Sequence, residues 1–195
     1  MLKKVLLVTP GRYEKDDLTP KGIEDVRWFS QQITVEGLRP KIVFFTSEKH
    51  CMYSALIFAG AVASVSHVAP LGSTFEIPYY ELTSDLEGSG TKRIWTGRKI
   101  ALQNKKSEAF WKHFRDMLRT EETARTYFGE AHPIPDDVEE IAVVSIPGFG
   151  GVFPRRDKNI MFSYTCWVTP VVYTLDIPTQ TLSLSCNPVE RFGCV

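Results

Sequence analysis

Neither sign of charge is in excess in this 195-residue chain, which carries 23 Lys and Arg against 23 Asp and Glu. That balance excludes the basic footprint by which a protein holds a nucleic-acid backbone or an anionic membrane surface, so the expected partner is a small molecule or another protein. Cysteine is scarce as well. Cys51, Cys166, Cys186 and Cys194 form no C-x-x-C pair and have no histidines at ligand spacing, which argues against a zinc site and a disulfide framework. No metal and no cofactor is expected. Long hydrophobic runs are missing too: the run Val5 to Val8 follows Lys3-Lys4 and stops at Thr9-Pro10-Gly11, too short for a signal-peptide core or a bilayer span. With thiols of the reduced type, a cytoplasmic location is the expectation. Internal repeats and low-complexity tracts are absent from the sequence.

What remains is an ordinary folded composition, 43% hydrophobic with 12 Pro and 13 Gly, enough for one substantial core over 1–195. Val5 to Val8 reads as a strand buried on both faces. Thr19 can cap a helix with Pro20 at its first position, with Ile23, Val26, Phe29 or Ser30 and Ile33 at helical spacing and a stop near Gly37. Lys41 to Phe45 is a second strand, and Ser47 or Thr46 can cap a second helix through Met52, Ala55, Leu56 and Ala59. Residues 67–106 show no sustained period and read as an irregular insertion. Ser107 to Arg119 is an amphipathic helix with Phe110, Trp111, Phe114, Met117 and Leu118 on one stripe. Ile141 to Ile146 is a third buried strand, and Tyr164 to Leu175 with Gln180 to Ser185 form an antiparallel hairpin around Pro178-Thr179. The fold class expected is a single α/β three-layer sandwich: a mainly parallel sheet, helices on both faces, and an antiparallel edge strand or hairpin. Ligands of such sheets bind beyond the carboxyl ends of the strands, here Thr9 to Arg12, Ser47 to His50 and Ile146 to Gly150.

Several of these segments fall in a telling order. Val8-Thr9-Pro10-Gly11 ends the first strand, Leu18-Thr19-Pro20-Lys21-Gly22 opens the first helix, Thr46-Ser47-Glu48-Lys49-His50 leads to Ser54-Ala55, and Ser145-Ile146 closes a late strand. In that order the chain resembles the histidine phosphatase superfamily, the phosphoglycerate mutase-like family. Its corresponding motifs read R-H-G, L-T/S-x-x-G, S-P-x-x-R-x-x-x-T-A and S-H-G. The match covers the first sixty residues well and the last sixty loosely, and it implies a phosphoglycerate mutase-like fold.

The resemblance also implies where chemistry would sit. In the family a histidine attacks phosphorus, two arginines hold the phosphoryl oxygens through charge-assisted forks, and a second histidine adds positive charge. Here the nucleophile position is Pro10, which has no ring nitrogen able to attack and no backbone N–H. The first arginine position is Thr9, the second is His50, and the second histidine position is Ile146. All four phosphate-handling positions are changed. Sliding the motif onto Arg12-Tyr13-Glu14 does not restore it, because Tyr13 then stands where histidine belongs.

Other groupings compete with plainer readings. Arg12, Lys49, His50, Arg155 and Arg156 could form a cationic pocket, with Gly11 and Gly148 offering backbone N–H groups to an anion, or be solvated surface charges. Glu87 to Lys92 lacks the spacing of a phosphate loop, and Ser145 lacks the glycine of a nucleophile elbow. Glu81 and Glu87 lie roughly where the family places its acid, with nothing to choose between them. His50 beside Cys51 reads as a capping or surface histidine next to a buried thiol rather than as a nucleophile pair.

The function expected is that of a catalytically inactive histidine phosphatase-like protein acting as a binding or interaction module. The alternative is an enzyme with a repurposed pocket for a phosphorylated or other anionic small molecule, a phosphatase- or mutase-like hydrolase with a non-standard site that uses His50 as acid or base. A third reading is a homo-oligomer held through the aromatic-rich C-terminal edge.

Overall fold

Continuous apolar runs make the central strands, because a strand covered by helices on both faces has no polar side. In the computed structural model, which describes residues 1–14, 16–71, 112–145 and 172–186, β1 (Lys4–Val8) is such a strand. Val5 and Leu7 point into one core and Leu6 and Val8 into the other, as the two-residue strand period requires. A short ribbon, β2 (Tyr13–Glu14) with β3 (Asp17–Leu18), leads into α1 (Pro20–Val35). Then follow β4 (Ile42–Phe45), α2 (Lys49–Ala61), β5 (His67–Pro70), a helical stretch α3 over 112–117, α4 (Glu121–Gly129), β6 (Glu140–Val144), and the hairpin of β7 (Val172–Asp176) and β8 (Thr181–Cys186).

The sheet runs β5-β4-β6-β1-β7-β8, its first four strands parallel and the hairpin antiparallel. On one face lie α1 and α2, burying Val26, Phe29, Ile33, Ala55 and Phe58. The other face is covered by Phe114 and Leu118 and by Ala124, Tyr127 and Phe128 of α4. The Phe44 and Phe128 rings meet there at 4.9 Å. Each such aromatic contributes about 1.5–3 kcal/mol by leaving water.

The expected layers, the parallel core and the edge hairpin are all present, and so is the start of α1. Thr19 accepts a hydrogen bond from Gly22 N at 3.0 Å, with Pro20 in the first turn, and Gly37 adopts φ 77° just beyond the helix. Three expectations need correction. Residues 67–70 are not part of an insertion: they pair with β4 from His67 opposite Ile42 to Pro70 opposite Phe45, and an edge strand tolerates the proline because one side of it needs no donor. The second helix is capped at Glu48, not at Thr46 or Ser47; Thr46 instead extends the sheet by donating its N–H to Val144 O at 3.1 Å. The third strand starts earlier, at Glu140, and ends at Val144. The hairpin lies at the sheet edge as expected, with β8 outermost and β7 against β1.

Helix α4 went unread in the sequence. Its capping box joins Thr120 to Thr123, where the familiar signature has Glu or Gln, and its apolar stripe is only Ala124, Tyr127 and Phe128. The remainder of the expected insertion (72–106), residues 107–111 of the third helix, and the aromatic segment 164–171 lie outside the described residues.

Candidate functional site

The carboxyl ends of β1, β4 and β6 finish level with one another, Val8 opposite Val144 and Phe45 opposite Val144. Each strand is followed by a buried hydroxyl: Thr9, Thr46 and Ser145 are 6%, 1% and 1% exposed. Thr46 Oγ1 lies 3.4 Å from Ser145 Oγ, and Ser145 N donates to Val8 O at 3.0 Å. The expected strand ends therefore converge at one place, and their floor is neutral and hydroxylic.

Beyond β1 the chain turns sharply against α1, and two glycines permit it. A Cβ on Gly22 would sit 2.1 Å from the Arg12 carbonyl oxygen, and one on Gly11 2.5 Å from the Gly22 carbonyl oxygen. Thr19 N donates to Arg12 O at 2.9 Å, and Gly11 N donates to Ser54 Oγ at 3.0 Å. This is the physical content of the Leu18 to Gly22 element and of the serine before Ala55: a threonine cap, a glycine that lets two backbones touch, and a hydroxyl that takes up the N–H of Gly11.

Two of the cations proposed for an anion pocket, Arg12 and Lys49, have carboxylate neighbours. Arg12 Nε lies 3.1 Å from Asp25 Oδ2, a charge contact without hydrogen-bond alignment, and Lys21 Nζ lies 3.5 Å from the other oxygen of Asp25. Asp25 is 1% exposed, so a buried charge is held by two cations, as burial of a carboxylate demands. Lys49 Nζ lies 2.7 Å from Asp17, whose hydrogen bond and charge raise the lysine pKa.

His50 is the residue the sequence misplaced. It neither caps the helix nor sits at the surface: it is fully buried, and the Tyr13 ring stacks flat on it at 3.7 Å with 6° between the planes. Burial pushes the imidazole pKa down to about 4, against an opposing pull from Asp16, so the ring is neutral near pH 7. Among the described residues neither ring nitrogen has a hydrogen-bond partner, and both buried carboxylate oxygens of Glu48 likewise have none. Burial also pushes the Cys51 thiol up, and the Glu48 charge acts in the same direction. Cys51 thus stays a neutral thiol, unsuited to attack.

Of the expected site residues, Thr9, Pro10, Gly11, Arg12, Lys49 and His50 are placed around these strand ends, and Thr9, Pro10, Gly11 and His50 are buried. Ile146 and Gly148 lie outside the described residues, as do Arg155, Arg156, Glu81 and Glu87. Sequence reasoning missed Tyr13, Asp25 and Glu48. No spacing rule links Tyr13 to His50 or Asp25 to Arg12; the only available signal was an Asp inside the first turns of an otherwise apolar helix face. Among the described residues, no group of three or more His, Cys, Asp and Glu could hold a metal, and no helix is long and apolar enough to cross a membrane.

No protein-family model and no curated protein sequence matches the chain. Solved structures do. A structure of an Escherichia coli protein assigned as an alpha-ribazole-5'-P phosphatase superimposes with a TM-score of 0.51 at 12% identity, covering 94% of this chain and 95% of that one. A phosphoserine phosphatase from Entamoeba histolytica gives 0.47 at 14% identity over 94% and 95%. A protein from Agrobacterium tumefaciens assigned as a phosphohistidine phosphatase gives 0.46 at 10% identity over 94% and 96%. At such identities the likeness is one of fold: the α/β sheet with an antiparallel edge is shared with the Escherichia coli structure.

Proposed function

We propose that this domain is a histidine phosphatase-like scaffold that no longer transfers phosphoryl groups and serves as a binding or interaction module. One observation carries the reading. At the position where the resemblance puts a phosphate-holding arginine, His50 is buried, neutral and covered by Tyr13. Phosphoryl transfer depends chiefly on fixed positive charge around the phosphoryl oxygens, and a neutral imidazole does not supply it. Pro10 at the nucleophile position adds that no phosphohistidine can form there. Arg12 and Lys49 lie against Asp25 and Asp17, which weakens the field they would offer an anion.

The test is turnover together with binding. With a panel of phosphomonoesters the chain is expected to show no release of phosphate above buffer, no phosphohistidine, and no rise in melting temperature with millimolar phosphate or vanadate. Phosphoester turnover that survives repurification and is lost on substitution of a strand-end residue would overturn the reading.

A second reading rests on Glu48 and His50. Buried titratable groups without partners are a recurring mark of working sites. On that reading the pocket is a repurposed one, with His50 as acid or base toward a phosphorylated or other anionic small molecule. Turnover abolished by His50→Ala and by Glu48→Gln, with folding intact, would favour it over the first.

A further inference from the structure

Helix α2 departs from the rule that a surface helix turns a polar face to water. No Asp, Glu, Lys or Arg occurs between Lys49 and Glu76, so apart from Lys49 the helix carries no formally charged side chain. Its neighbour α1 behaves conventionally, with Glu24, Arg27 and Gln31 exposed. On α2 the outward stripe is Lys49, Tyr53, Leu56 and Gly60, continuing to Ala63 just past the helix end. Leu56 is 50% and Tyr53 36% exposed. An apolar helix face of this kind is a contact surface in search of a partner.

Gly60 provides a second, independent sign. It lies in the last turn of α2 without a positive φ, and a Cβ added there would meet nothing within 4 Å. Among the described residues nothing requires a glycine there, and glycine weakens a helix. Glycine on an open helix face is explained by another backbone or a bulky side chain that must come close.

The residue sizes along the stripe say which partner. Large side chains, Lys49, Met52 and Tyr53, occupy the first half, and small ones, Ala59, Gly60 and Ala63, the second. Laid antiparallel on its own copy and crossing at Leu56, the helix sets Tyr53 against Ala59 and Met52 against Gly60. Large meets small throughout, which is the self-complementarity a two-fold interface needs. No like charges face each other either, since Lys49, the one cation, is matched within its own chain by Asp17 at 2.7 Å. We infer that α2 is the axis of a homodimer in which two copies pack antiparallel around Leu56.

Sedimentation of the full chain from micromolar to near-millimolar concentration tests this, and a reversible monomer–dimer equilibrium is expected. Leu56→Glu, which places two carboxylates on the axis, should weaken association about tenfold or more while leaving the monomer folded. Gly60→Ala separates the two roles of the glycine: helix propensity predicts a higher melting temperature for the monomer, and the lost close approach predicts weaker association. In Leu56→Cys, mild oxidation should link position 56 to position 56 of the second copy, read as a cross-linked peptide by mass spectrometry. A chain that sediments as a monomer at every concentration overturns the inference, whether or not some other protein binds the face. So does a dimer that Leu56→Glu leaves intact.

Discussion

Two helices begin beside the candidate site, and they begin differently. At α1, Thr19 caps the first turn, Pro20 sets its direction and Gly22 lies in backbone contact with Arg12, so every local rule agrees. At α2, the N-cap is Glu48, whose side chain caps nothing, and the first turn carries the buried ring of His50 under Tyr13. One start is built for stability. The other departs from those rules at the place where the resemblance puts phosphate chemistry, and such departures cluster at functional sites.

Breaking the first start should cost most. Gly22→Ala drives a methyl group into the Arg12 backbone, which cannot yield without moving the loop off the helix. A loss of about 3 kcal/mol or complete unfolding is expected in urea titrations, with Gly11→Ala acting in the same direction. A loss under about 1 kcal/mol would show that the loop and α1 separate easily, and that their contact is no anchor.

The second start should reveal itself through pH. Unfolded, His50 takes up its proton near the ordinary 6.5; folded, only near 4. Between those values the unfolded chain binds more protons, so stability is full above the upper value and falls as the pH drops toward the lower one. At about 1.4 kcal/mol per pKa unit the fall is roughly 3 kcal/mol. His50→Leu should flatten that part of the profile. Equal slopes in the variant and the parent chain would mean that the imidazole is solvated.

The smallest effects give the sharpest contrast, because they have opposite signs. Thr19→Ala removes a working cap and should cost about 1 kcal/mol. Glu48→Ser installs a cap and removes a carboxylate whose oxygens have no partner, and should stabilise by about 1 kcal/mol. If both variants lose stability, Glu48 has a structural partner and the two starts are alike after all.

Much of the scaffold could be read in advance. Val5 to Val8 announced a doubly buried strand, and Thr19-Pro20 with Gly37 marked both ends of α1, because these signals act over a few residues. Helix α4 escaped notice because its apolar stripe is three residues long and its capping box is closed by a second threonine. Residues 67–70 escaped because an edge strand of four residues carries too little alternation to stand out. That the strand ends meet at one place was legible in the sequence; the burial and pairing of the side chains there were not. The neutral state of His50 comes from burial, and the ring stacked on it, Tyr13, belongs to a two-residue strand that no pattern identifies.

By itself, then, the sequence determined the layers, the parallel core, the edge hairpin and the start of α1. Periodicity and capping are local and survive in a string of residues. Only the tertiary structure decided that Arg12 faces Asp25, that Lys49 faces Asp17, and that His50 is shut away from water. A balance of 23 charges against 23 is silent on such matters, because burial and charge pairing are sums over segments that only folding brings together.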